Sequence, residues 1–193
     1  MSLAAASVAE AKKLIDRGVA ADGANPDGAA YLVSTTDKAR NVRATEYAAV
    51  KQALGGALPV EIVETDALEN RRNVMFYFTG ATHVASLDSN RFLPGALGDH
   101  LTSAGGVLFG GGQMSSLKWL EAGATGSYGA VVEPCNFPTK FPVPGVVMAH
   151  YLQGETLIEA YGKSVAMPGQ GLFIGEPLAR PYAGVRQRAD LPG

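Results

Sequence analysis

At 193 residues, with 47% hydrophobic and 18% charged side chains, the chain has the balance of a folded globular domain rather than a disordered one. A net charge of −2 leaves no electrostatic footprint for nucleic acid or for an anionic membrane surface. No apolar run approaches the roughly 20 residues that cross a bilayer, and the single cysteine, Cys135, excludes both an internal disulfide framework and a Cys-rich zinc site.

The elements follow one another in a βα rhythm. Val8 to Arg17 has apolar residues at helical spacing and stops at Gly18; Ala29 to Ser34 reads as a short buried strand. Thr45 to Leu54 is a helix ended by Gly55-Gly56, and Val60 to Thr65 alternates as an edge strand does. Val74 to Thr79 is apolar on both faces, so it is expected at the centre of the sheet. Gly95 to Ser103 is read as a short helix, and Val107 to Phe109 as a strand running into Gly110-Gly111-Gly112. Ser115 to Ala122 is a further helix, and Tyr128 to Val132 a strand. Gly145 to Leu152 and Thr156 to Val165 are two helices or one broken one, Leu172 to Ile174 is a last strand, and a polar tail follows Leu178. The reading is one α/β domain over residues 1–193, with a mostly parallel sheet sandwiched by helices.

A family likeness rests on particular stretches. These are Phe78-Thr79-Gly80 with His83-Val84, Pro94-Gly95-Ala96-Leu97, Asp99-His100-Leu101-Thr102-Ser103 and Gly123 to Gly129. Glu133-Pro134, Lys140-Phe141-Pro142, Glu159-Ala160-Tyr161, Lys163-Ser164-Val165 and Gly175-Glu176-Pro177-Leu178 complete the set. Through them the chain resembles a family of bacterial proteins of uncharacterised function related to the gingipain-type, caspase-clan cysteine peptidase fold. The resemblance implies a caspase/gingipain-like domain forming the C-terminal part of a longer, exported or periplasmic protein. It also implies a histidine after one central strand and a nucleophilic cysteine after the next. On this sequence the histidine position falls near Thr79-Gly80-Ala81, with His83 the nearest imidazole. The cysteine position is expected after Val107 to Phe109, where Gly110-Gly111-Gly112 stand, and Cys135 lies one strand later.

Two enzymatic or binding readings follow from the side chains. A thiol attacks as the thiolate and needs an adjacent base, so Cys135 with His83 or His100, and with Asp99 as orienter, makes a candidate hydrolase set. The plainer alternative is a packed, inert thiol. Gly110, Gly111 and Gly112 can cradle an anion or simply form a tight turn. Glu133 and Lys140 at the end of a strand can hold each other or a ligand. Glu159 and Lys163 have the spacing of a helical ion pair. No histidine pair has the i, i+4 spacing of a metal site, and nothing in the sequence asks for a cofactor. The leading expectation is a non-catalytic, peptidase-like domain that binds a peptide or another protein, or serves as a structural module. The alternative is a cysteine-dependent hydrolase.

Overall fold

The structure is a computed structural model that describes residues 1–184. Its sheet has six strands: β1 (Ala29–Ser34), β2 (Val60–Glu64), β3 (Val74–Gly80), β4 (Phe92–Leu101), β5 (Gly126–Ala130) and β6 (Gly171–Gly175). They lie in the order β2-β1-β3-β4-β5-β6, all parallel except β6, which runs antiparallel to β5. The described residues form five α-helices: α1 (Val8–Ala21), α2 (Tyr47–Leu54), α3 (Leu117–Glu121), α4 (Pro144–Leu152) and α5 (Leu157–Ser164). The fold is α/β.

Side-chain alternation sorts the helices onto two faces. Gly126 stands opposite Leu97 in the β4–β5 register, so both point one way, and Gly98 points the other. Leu157 of α5 lies against Gly126, whereas Trp119 of α3 lies against Gly98. One face therefore carries α2, α4 and α5 over Phe76, Phe78 and Tyr128. The other carries α1 and α3, whose Leu14, Leu117 and Leu120 bury Ile174. Trp119 is fully buried and meets Tyr77 edge-on at 4.9 Å. β3 is buried at every residue, as its two apolar faces require, and β2 forms one edge of the sheet.

Two local expectations are corrected. Gly95 to Ser103 is not a helix: Gly95 to Leu101 belongs to β4, the longest strand, and Thr102 and Ser103 follow its end. Asp99 and His100 broke its apolar pattern, yet both are buried: the Arg43 charge faces the carboxylate, and Trp119 and Met114 hold the imidazole. Val107 to Phe109 is not a strand. It lies in an exposed loop, with Phe109 71% exposed, pinned where Gly106 N–H donates to Ala130 O at 2.8 Å. The expected Glu159–Lys163 pair is also replaced. Glu159 accepts from Thr156 N–H at 2.9 Å and so caps α5, while Lys163 Nζ reaches both oxygens of Glu155 at 2.8 Å. The polar tail expected after Leu178 runs on into residues outside those described.

Candidate functional site at the carboxyl end of the sheet

Five parallel strands end on one side of the molecule, and the loops that follow them meet there, the position where α/β sheets place ligands. The loop after β1 crosses the end of β3 so closely that a Cβ on Gly80 would stand 1.9 Å from Arg40 O; only glycine fits. This crossing delivers Arg40 to the tip of β4. Arg40 Nε donates to Thr102 Oγ1 at 3.1 Å and its Nη1 pairs with Asp37 at 3.0 Å. Thr102 Oγ1 donates in turn to Gln113 Oε1 at 2.7 Å, and that oxygen also accepts from Ala104 N–H at 2.8 Å. Ser103, buried, donates to Glu133 Oε2 at 2.6 Å and so ties the end of β4 to the end of β5.

Beneath this polar floor lies a buried ion pair. Arg43 Nη1 stands 2.6 Å from Asp99 Oδ1, with the two side chains 4% and 0% exposed. The guanidinium N–H groups aim at Thr79 O (2.7 Å) and Pro142 O (3.2 Å), so the contact with Asp99 is one of charge rather than of aligned hydrogen bonds. Burial raises the Asp99 carboxyl above its ordinary range, and Arg43 opposes that shift. Breaking one partner of such a pair would strand the other, a cost of about 3–5 kcal/mol.

The expected site residues are distributed as follows. Asp99 and His100 are consecutive in a strand and face opposite sides, so Asp99 cannot orient that imidazole. His100 is held at both nitrogens: Nδ1 accepts from Trp119 Nε1 at 2.9 Å, and Nε2 donates to Met114 O at 3.0 Å. Burial pushes its pKa down to about 4, so it is a neutral ring within the core. His83 is exposed and lines a groove of about 380 Å³ with Val84, Leu87, Met114, Lys118 and Glu121. No residue of the Cys135 loop lines that groove. The Cys135 thiol has one hydrogen-bond partner among the described residues, Ala39 O at 3.8 Å, and no imidazole within reach.

Gly110, Gly111 and Gly112 form an exposed turn, and α3 starts only at Leu117, so no helix N-terminus points at them. Glu133 and Lys140 do come to the carboxyl end, but each takes a different partner. Glu133 accepts from Ser103, while Lys140, 2% exposed, donates to Val132 O. Burial lowers the Lys140 pKa, opposed by Glu133 and then by Cys135.

The sequence did not mark Arg40, Arg43 or Ser103 as site residues, and it placed Gln113 only at the end of the glycine turn that could cradle an anion. The one signal available for Ser103 was the polar Thr102-Ser103 pair closing a stretch that begins at Pro94. Comparison of the chain with family models, with curated proteins and with solved structures finds no match.

Around the polar floor the rim is apolar. Val107 and Phe109 stand exposed in the loop after β4, and Val131, Val132 and Phe137 in the loop after β5. The two loops lie side by side through the Gly106–Ala130 bond. A third joins them where Val131 N–H donates to Gln170 O and Met167 N–H to Thr139 O, both at 3.0 Å. The exposed apolar side chains of the rim are thus drawn from two adjoining loops at one end of the sheet.

Proposed function

We propose that the chain is a non-catalytic, peptidase-like domain that binds an extended peptide segment at the carboxyl end of its sheet. The observation that carries this reading is the apolar rim of Val107, Phe109, Val131, Val132 and Phe137 around a floor whose polar groups are already engaged with one another. Such a floor offers no activated nucleophile but a defined, rigid base. The rim offers area whose removal from water favours binding by about 25 cal/mol per Å². The caspase/gingipain-like resemblance supports the same reading, since peptidase folds of this kind present peptides to the ends of their central strands. The cysteine-hydrolase alternative draws less support, because Cys135 has a carbonyl and not an imidazole beside it.

The test is selection from a random linear-peptide library displayed on phage, followed by calorimetry of the selected peptide with the intact chain. The expected result is a consensus sequence whose affinity falls about tenfold or more in Phe109→Ser and in Phe137→Ser, as for truncation of aromatic anchors at interfaces. Failure of any sequence to enrich would overturn the reading. So would hydrolysis of the selected peptide that is lost in Cys135→Ser.

A further inference from the structure

The groove of about 380 Å³ beside α3 lies apart from the apolar rim, with which it shares no residue. One wall is the loop after β3, with His83, Val84, Leu87 and Asp88; the other is α3, with Lys118, Glu121 and Ala122. Met114 joins the walls and is held from three sides. Its N–H donates to Thr82 O at 3.0 Å, its carbonyl accepts from His100 Nε2 at 3.0 Å, and its sulfur accepts from Val84 N–H at 3.4 Å. Val84, Leu87 and Met114 keep only a small part of their surface open, so the floor is apolar and set before any ligand arrives.

The course of the chain gives the groove two unlike ends. The loop leaves β3 at the carboxyl end of the sheet and returns to the amino end, where Asn90 Nδ2 donates to Leu68 O and Arg71 N–H donates to Asn90 Oδ1. His83 thus stands toward the carboxyl end and Asp88 toward the amino end. The opposite wall runs the same way. Ser116 N–H donates to Gly105 O beyond β4, whereas a Cβ on Gly123 would stand 3.5 Å from Phe92 at the start of β4. Lys118 therefore lies toward the His83 end and Glu121 toward the Asp88 end. His83 and Asp88 are exposed and have no hydrogen-bond or ion-pair partner among the described residues. Lys118 and Glu121 touch each other at 2.7 Å, an exposed pair of the kind that contributes little, so a ligand can replace it.

We propose that this groove binds a small zwitterion whose ammonium and carboxylate stand at opposite ends of an apolar body, as in a dipeptide of apolar residues with free termini. The ammonium meets Asp88, with Glu121 across from it. The carboxylate meets His83 and Lys118, and the apolar side chains lie on Val84, Leu87 and Met114. Opposite charges at the two ends fix the ligand's direction, because the reversed ligand would set like charges together. The volume falls within the range of roughly 300–1,000 Å³ common to small-ligand sites.

The test is titration of the intact chain at pH 7 with dipeptides built from Ala, Val, Leu and Phe, followed by backbone amide shifts and by calorimetry. The expected result is saturable shifts confined to residues 82–88 and 114–122. N-acetylation or C-amidation of the best dipeptide should each weaken it about tenfold or more. Asp88→Asn should weaken the free dipeptide by a similar factor and leave the acetylated one unchanged, while Lys118→Gln should erase the preference for carboxylate over amide. Absence of saturable shifts with every dipeptide overturns the proposal, and so do equal affinities for free and capped forms. An acetylation effect that persists undiminished in Asp88→Asn overturns it as well. Shifts centred on residues 104–113 and 131–143 overturn it in favour of a single site at the rim.

Discussion

At the scale of single residues, the two histidines and the cysteine of the candidate dyad separate into different jobs. His100 is a core bridge between Trp119 Nε1 and Met114 O, and its burial has a pH consequence. In the unfolded chain the ring takes a proton below its ordinary value of 6.5, whereas the native ring does so only below about 4. Between these limits the unfolded state binds more protons, so stability falls as pH falls through the window, by roughly 3 kcal/mol at most. Urea unfolding at pH 7 and at pH 4.5 should show this loss, and His100→Gln, whose amide can both accept from Trp119 and donate to Met114, should show less of it. An equal loss in the variant would mean that other groups carry the acid sensitivity. For Cys135 the geometry predicts an alkylation rate that is the same in His83→Ala as in the parent chain. A marked drop in that variant would bring the imidazole back to the thiol.

At the scale of elements, β4 is the member whose formation the site depends on, because Thr102 and Ser103 continue directly from its last residue. It packs Gly98 against the indole of Trp119, with an added Cβ only 2.2 Å from the ring. Gly98→Ala should therefore destabilise the chain by about 1–3 kcal/mol, read as a lower urea midpoint with an unchanged slope. An unchanged midpoint would mean that α3 shifts freely, and that the two faces are less closely packed than Trp119 indicates. The same strand shows where sequence reading stops. β1, β3, β5 and β6 were legible from short apolar runs with polar or glycine punctuation. β4 was not, because a charged residue and a histidine interrupt it. What makes them tolerable there is Arg43 from before α2 and Trp119 from α3, neither of which a local pattern contains. Glu133, Lys140 and Cys135 were recognisable as a strand-end loop. Arg40 and Ser103 became site residues only through the crossing of the β1 loop over Gly80 and the parallel alignment of β4 with β5.

At the scale of the whole molecule, the two ends of the sheet differ. At the carboxyl end, two adjoining loops carry exposed Val107, Phe109, Val131, Val132 and Phe137 beside an engaged polar floor. At the other end a pocket of about 220 Å³ is lined by Asn25, Pro26, Asp27, Gly28, Pro59 and Tyr182, with few apolar groups exposed. Because Phe109 is 71% exposed and Phe137 about half so, the double variant Phe109→Ser with Phe137→Ser should lower the melting temperature by no more than a few degrees and be more soluble. A fall in melting temperature of more than a few degrees would assign these residues to the core instead. The most direct measurement of the central claim is a map of backbone amide chemical shifts as the selected peptide is titrated into the intact chain. Peptide binding at the carboxyl end should concentrate the shifts in residues 104–113, 131–143 and 167–173. Shifts centred instead on the His83–Met114 groove, or on the pocket beside Gly28, would contradict it.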